Sequence, residues 1–155
     1  MIWQELKKEL VFPYVEASTY QDVMKEIGGK FIEKGYCNNT YVDALIEREE
    51  EYPTGLDIRG IGVAIPHTDV VHVKQAGIGI ARLNKEVKFT QMGSDDDVMV
   101  RLVFMLAVDK PNDHLEHLQD ILKIIQDKEI LEKLLIANSA EEILNIIKEK
   151  EMERV

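Results

Sequence analysis

The feature that most constrains the fold is an almost unbroken apolar run at residues 98–108, in which Arg101 is the one polar side chain. An apolar run without polar alternation is typical of a central strand that is buried on both faces of a sheet. The run is too short for a membrane helix, which needs roughly 18 to 20 apolar residues. Such a strand requires other elements packed on both of its sides, so the sequence predicts a layered α/β domain.

Apolar segments before this run predict further strands of the same sheet. Residues 60–66 read GIGVAIP, a glycine-led apolar run that is stopped by a proline. Residues 76–83 alternate between small and larger side chains, and residues 87–89 form a third short segment. We therefore expect three shorter strands beside the central one.

Helix signals precede these strands. Ser18 and Gln21 form a capping-box pattern that predicts the start of a first helix, and Gly35 predicts its end. Adjacent glycines at positions 28 and 29 argue against an unbroken helix over this stretch. A second, shorter helix is predicted over residues 40–49, which carry an apolar stripe on one face.

The last third of the chain has a helical pattern. Leucine and isoleucine recur at three- and four-residue steps after Asp113, and a short helix is predicted at residues 128–136. Ser139 and Glu142 form another capping box, which opens a terminal helix. No linker, repeat or charge block divides the chain. We therefore predict one α/β domain over residues 1–155, with a mixed β-sheet flanked by helices.

Charge and cysteine content exclude several classes of protein. Asp and Glu outnumber Lys and Arg by 29 to 19, for a net charge of −10, whereas nucleic acids and anionic membranes bind clustered basic residues. The single cysteine, Cys37, excludes an intramolecular disulfide and a cysteine-based zinc cluster. The N-terminus lacks the basic and apolar regions of a secretory signal. We expect a cytoplasmic protein that neither binds nucleic acid nor inserts into a membrane.

His67 is the first of four histidines that could carry chemistry. It directly follows Pro66, which stiffens the end of the predicted buried strand. Ligand sites in α/β sheets collect where strands end, so this imidazole could be a nucleophile, a general base or a metal ligand. A histidine that merely ends the strand has about equal weight from position alone. Asp69, two residues later, could orient the imidazole or cap a turn.

For the other candidates, a purely structural role has more weight than a functional one. His114 lies in the first turn of the long predicted helix, where a neutral imidazole could donate to an anion, but position alone favours an ordinary surface histidine. His117 follows one turn later, and a pair at this spacing binds metal only in some contexts. Arg48 could hold an anion with its planar fork of donors, or it could pair with a neighbouring glutamate.

Three segments together carry a resemblance to a known family. Residues 62–69, GVAIPHTD, resemble the phosphorylation-site signature of fructose/mannitol-type (type 2) EIIA domains of the bacterial phosphoenolpyruvate-dependent sugar phosphotransferase system. Arg48 and Glu49 followed by YPTGL at residues 52–56 are similar to the segment before that signature. Residues 114–128 are similar to the family's second-histidine helix. YPTGL and His72 are closer to the galactitol-type subgroup.

The resemblance implies a phosphocarrier with the EIIA fold and no metal or organic cofactor. It implies that His67 accepts a phosphoryl group from phospho-HPr on its tele nitrogen and passes it to a cysteine of EIIB, which serves the membrane transporter EIIC. His114 matches the histidine that supports the phosphoryl group, and Arg48 matches the arginine near that site. His117 is a rival for the supporting role, and His72 is a further candidate assistant.

Two alternatives stay open at the level of sequence. A regulatory, nitrogen-type EIIA protein has the same fold and signals by its phosphorylation state. A small metallohydrolase could use two or more of the four histidines, although the chain has no H-E-x-x-H motif. The sequence does not name the transported sugar, because an EIIA protein does not contact it.

Overall fold

In the computed structural model, which describes residues 1–153, the chain forms a five-stranded mixed sheet with the strand order β1-β4-β5-β3-β2. β1 pairs with β4 and β3 pairs with β5 in parallel, whereas the β4–β5 and β2–β3 pairs are antiparallel. This arrangement confirms the predicted α/β class and mixed sheet. The strand bounds are β1 (Leu6–Val15), β2 (Gly55–Ile58), β3 (Ile61–Ala64), β4 (Gly77–Thr90) and β5 (Asp97–Ala107).

Helices cover both faces of this sheet. Helices from the first half of the chain cover one face. There, α1 (Tyr20–Val23) continues through a π-helical turn (Met24–Gly28) into α2 (Gly29–Glu33), and α3 (Tyr41–Glu51) follows. The C-terminal helices cover the other face; they are α4 (Asp113–Ile125), α5 (Lys128–Ile136) and α6 (Ala140–Met152). Within residues 1–153, every helix is too short or too polar to cross a membrane.

β5 separates two hydrophobic cores, as the apolar run predicts. Leu102, Phe104 and Leu106 lie in the core formed with the C-terminal helices. Val103 and Met105 lie in the core formed with the N-terminal helices. Successive side chains of a strand point to opposite faces, so a strand that is buried on both faces must be apolar at almost every position.

The predicted order, with a helix first, is wrong at the N-terminus. β1 precedes the first helix, but its charged residues 7–9 and Pro13 hide the strand pattern. Proline is tolerated in β1 because this strand lies at the edge of the sheet. The short edge strand β2 is likewise absent from the sequence prediction. The segments 76–83 and 87–89, predicted as two strands, form the single strand β4, with a register shift between Arg82 and Val87.

The first helix also begins one residue later than predicted. Thr19, not Ser18, is its N-cap, and its Oγ1 accepts a hydrogen bond of 3.1 Å from the backbone N–H of Asp22. The expected interruption near the paired glycines is the π-helical turn, which ends at Gly28. A β-carbon on Gly28 would lie 3.1 Å from side-chain atoms of Val42 and Leu45, so glycine allows α3 to pack closely here.

Candidate active site

The end of β3 is a rigid support for His67. A β-carbon on Gly62 would lie 1.9 Å from the carbonyl oxygen of Met99, so β3 and β5 approach more closely than another residue would allow. Ile65 and Pro66 are buried, and the carbonyl oxygen of Pro66 accepts a hydrogen bond of 3.0 Å from the N–H of Leu106. The close approach of β3 to β5 and the hydrogen bond at Pro66 therefore fix the main chain that leads into His67.

His67 is half-buried and has a defined hydrogen-bonding pattern. Its Nδ1 lies 2.9 Å from the carbonyl oxygen of Ile65. A carbonyl oxygen only accepts, so Nδ1 carries the proton, and in the neutral ring Nε2 has the free lone pair. Burial lowers the pKa of His67, the charges of His114 and Arg48 lower it further, and the Ile65 hydrogen bond and Asp69 oppose them. The site therefore favours the neutral, nucleophilic imidazole.

His114 lies beside His67. The two ring centroids are 5.5 Å apart, and the ring planes are tilted by 52°. The Nε2 atom of His114 is buried and has no hydrogen-bond partner among residues 1–153. Burial is the main cause that lowers the pKa of His114, followed by the charge of Arg48, whereas Asp69 and the main chain of Thr68 raise it. An unpartnered ring nitrogen next to a nucleophile is suited to bind an incoming ligand oxygen.

Arg48 brings positive charge to the same place from the last turn of α3. Its Nη1 lies 3.3 Å from Oδ1 of Asp69, and its guanidinium carbon lies 5.2 Å from the ring centroid of Tyr52. Its charge affects the pKa of both His67 and His114. The structure thus brings together three predicted site residues, Arg48, His67 and His114, from three separate elements.

The two remaining histidines have different surroundings. His117 lies one turn beyond His114 on α4, and its buried Nδ1 has no partner among the described residues. His72 has its Nδ1 at 2.8 Å from Oγ1 of Thr40 and lines a cavity of about 160 Å³ that also contacts Arg48. Over residues 1–153, no group of three or more His, Cys, Asp or Glu side chains is arranged to hold a metal ion.

Glu49 and Thr54 form a buried polar network, linked to Ile65, that the sequence analysis did not identify. The Glu49 carboxylate accepts hydrogen bonds from the Thr54 N–H at 2.7 Å and from its hydroxyl at 2.9 Å. The hydroxyl oxygen accepts in turn from the N–H of Ile65 at 3.1 Å. One signal was available in the sequence, since Glu49 follows Leu45 by four residues on the buried stripe of α3.

Exposed apolar side chains accompany the site. Val71 is 72% exposed and lies in the turn after His67, and Leu115 is 63% exposed and follows His114. Tyr52, which stacks under Arg48, is also exposed.

Comparison with known proteins adds a family to this geometry. The family model described as "Phosphoenolpyruvate-dependent sugar phosphotransferase system, EIIA 2" matches residues 4–150. The galactitol-specific EIIA component of Escherichia coli is 36% identical over 114 residues, which cover 74% of this chain and 76% of that protein. The mannitol-specific enzyme IIA component of Bacillus subtilis is 30% identical over 152 residues, covering 94% and 98% of the two chains.

A solved structure shares the fold over nearly the full length. It is the complex of the enzyme IIA and the phosphorylated enzyme IIB of the mannitol system of Escherichia coli, with a TM-score of 0.78 and 25% sequence identity. The match covers 92% of this chain and 96% of the solved chain.

Proposed function

Since the chain belongs to the EIIA 2 family of the phosphoenolpyruvate-dependent sugar phosphotransferase system, we propose that it carries a phosphoryl group on His67. The donor is phospho-HPr, and the acceptor is a cysteine of an EIIB protein that serves uptake of a sugar alcohol. The observation that supports this proposal best is the Nδ1 contact of His67 with the Ile65 carbonyl, because it leaves Nε2 as the nucleophile beside His114.

The proposed step is an exchange of one phosphorus–nitrogen bond for another. The lone pair of His67 Nε2 attacks the phosphorus of the donor phosphohistidine, and the bond to the donor nitrogen breaks, so that the electron pair leaves with the donor imidazole. The His67 ring keeps its proton on Nδ1. In the second step a thiolate of EIIB attacks the same phosphorus, and the electron pair of the broken bond returns to Nε2.

His114 and Arg48 have supporting roles in this proposal. Phosphoryl transfer passes through a loose transition state, so catalysis depends on positioning and on stabilising charge on the phosphoryl oxygens. The unpartnered His114 Nε2 can donate a hydrogen bond to one oxygen when it carries a proton. Arg48 supplies positive charge, and its ion pair with Asp69 is exposed enough to open when a phosphoryl group enters.

Charge and surface character agree with protein partners as donor and acceptor. The net charge of −10 favours a partner with a positive face, with an association rate that falls as salt rises. Val71, Leu115 and Tyr52 supply the apolar contacts that a transient interface needs. Similarity to galactitol- and mannitol-specific components favours transport over the regulatory alternative.

The proposal is tested with phospho-HPr that carries a radioactive phosphoryl group. The wild-type protein should take up one label per chain, and His67→Ala should take up none. His72→Ala is the matched histidine control from the same loop and should still take up one label per chain, whatever its effect on the rate. Labelling of His67→Ala at the wild-type rate would refute the assignment. Transfer of the label onward to candidate EIIB proteins then separates a transport component from a regulatory one.

A further inference from the structure

We infer that Glu49 is a positioning residue for phosphoryl transfer at His67, and that it acts through the Thr54 hydroxyl and the main chain of Ile65. The inference rests on the proposed function of His67. It concerns residues that do not contact the reacting atoms. Four features of the structure support it.

The first feature is the burial of an unpaired acidic side chain. Glu49 is only 6% exposed although it lies on a helix at the surface of the domain. Within residues 1–153 no ion pair involves its carboxylate. Burial raises its pKa to about 7, although the two hydrogen bonds from Thr54 oppose the increase. An apolar residue would fill this position without the cost of desolvation, so packing alone does not explain a glutamate here.

The second feature is that the carboxylate determines the direction of the next hydrogen bond. When Glu49 is ionised, its carboxylate only accepts, so the Thr54 hydroxyl then directs its one proton towards Glu49. The lone pairs of that hydroxyl are then available to the Ile65 N–H, which lies 3.1 Å away. A glutamine side chain at position 49 could instead donate its own N–H to the Thr54 hydroxyl. The hydroxyl proton would then no longer point towards residue 49. The negative group therefore orders the contact between Thr54 and the end of β3.

The third feature is that Ile65 transmits this order to the imidazole. The residue that Thr54 holds through its N–H presents its carbonyl oxygen to His67 Nδ1 at 2.9 Å. Pro66 follows directly, and its carbonyl oxygen is held by the N–H of Leu106. A stiff dipeptide held at both ends fixes where the Ile65 carbonyl points. It thereby fixes which ring nitrogen of His67 carries the proton.

The fourth feature is that Glu49 lies next to Arg48 at the end of α3. The buried carboxylate ties this helix end to Thr54, while Arg48 extends from the same turn towards Asp69. The Glu49–Thr54 contact therefore fixes the position of Arg48 relative to that of His67. Glu49 contacts neither the phosphoryl group nor the partner in this account, so its effect is on geometry and on the proton position alone.

The test compares three variants with a matched control. Thr54→Val removes the hydroxyl at nearly constant volume, Glu49→Gln removes the charge, and Thr54→Ser keeps the hydroxyl as a conservative variant. Glu151→Gln is the control, since Glu151 is another buried glutamate that accepts two main-chain N–H groups, those of Ile2 and Trp3. Two quantities are measured, the nitrogen-15 NMR signals of the His67 ring and the kinetics of labelling by phospho-HPr.

We expect Thr54→Val and Glu49→Gln to increase the fraction of His67 with its proton on Nε2. We also expect them to slow labelling on the order of 10- to 100-fold through the rate constant, with the KM for phospho-HPr unchanged. Thr54→Ser should behave as wild type in both measurements. Glu151→Gln should lower the melting temperature and leave the His67 ring signals and the labelling rate unchanged.

The inference is overturned if Thr54→Val and Glu49→Gln fold and keep the wild-type ring signals and rate. Hydrogen exchange of the wild-type protein tests it without any variant, because an Ile65 amide that exchanges as fast as surface amides would contradict the Thr54 contact. The ring signals of the unphosphorylated protein are independent of HPr. Failure of the proposed function, seen as a wild-type protein that takes up no label, is therefore distinguishable from failure of this inference.

Discussion

The imidazole rings of His67 and His114 lie with their centroids 5.5 Å apart, although one ring follows the end of β3 and the other lies in the first turn of α4. The two rings differ in their hydrogen bonds. His67 has a partner at Nδ1 in Ile65, whereas His114 has a buried Nε2 without a partner among residues 1–153. This difference suits a nucleophile held in one tautomer beside a group that is free to bind a phosphoryl oxygen.

Replacing His114 should slow labelling, and the label should remain on His67. We expect His114→Asn to remain labelled on His67, with a rate lower on the order of 100-fold, because one donor to the phosphoryl oxygens is lost. His117→Asn should cause a smaller loss, since the charge of His114 lowers the pKa of His67 and His117 lies one turn further along α4. Labelling kinetics of the two variants decide between them. A larger loss in His117→Asn would assign the supporting role to His117.

The rate of labelling should stay high at mildly acidic pH. A protonated imidazole has no lone pair on Nε2, so the rate falls as pH drops through the pKa of His67. Because burial lowers this pKa below its ordinary value of 6.5, the half-maximal rate should lie below pH 6.5. The measurement is the labelling rate against pH, with the donor at saturating concentration. A midpoint above 6.5 would contradict the described environment of the ring.

Loss of Arg48 should affect labelling more than stability. The Arg48–Asp69 ion pair is largely exposed, and such pairs contribute roughly 0.2 to 1 kcal/mol. We therefore expect Arg48→Gln to change the melting temperature little, to slow labelling, and to move the pH midpoint upward, because the Arg48 charge lowers the pKa of His67. Asp69→Asn removes the opposite charge and should move the midpoint downward. If the pH midpoint of labelling moved in the same direction in both variants, this electrostatic explanation would be excluded.

Stability should depend on pH through Glu49. Its folded-state pKa of about 7 lies above the ordinary value of 4.5, so the folded protein binds the proton more tightly than the unfolded chain. The resulting stability is fully present below pH 4.5 and is lost as pH rises to about 7. The difference corresponds to at most about 3 kcal/mol. Urea unfolding of wild type and Glu49→Gln should show this change in their difference, and a difference that is constant with pH would refute it.

Two glycines should respond in opposite ways to alanine. Gly62→Ala should destabilise the protein by at least about 2 kcal/mol, because its β-carbon would overlap the Met99 carbonyl and separate β3 from β5. Gly29→Ala should stabilise it by about 0.5 to 1 kcal/mol, since the position is helical and has open space around it. Thermal unfolding of both variants measures the contrast. If the two substitutions changed stability equally, the close approach of β3 to β5 would not restrict the residue at position 62.

Local patterns in the sequence predict most of the fold and the family. The apolar run predicts a strand buried on both faces, the Ser139 cap predicts the start of the last helix, and Gly35, with φ +87°, ends the first helical region as expected. The motif around His67 indicates the type 2 EIIA family, and residues 52–56 with His72 indicate its galactitol-like members. The comparisons confirm both. These features are encoded by neighbouring residues, because burial period, caps and short motifs act over a few positions.

The edge strands and the inner part of the site depend on the tertiary structure. β1 is held by a pairing partner that is distant in sequence, β4, and its own residues do not alternate clearly between apolar and polar. β2 has only four residues, too few for a local pattern to predict, and it is defined by its hairpin pairing with β3. The approach of His114 to His67, and the link from Glu49 through Thr54 to Ile65, likewise need separate segments to be packed together. The sequence by itself determined which imidazole follows a stiff strand end. Only the folded chain decided its tautomer and its neighbours, because hydrogen bonds between buried polar groups depend on distances that no local pattern specifies.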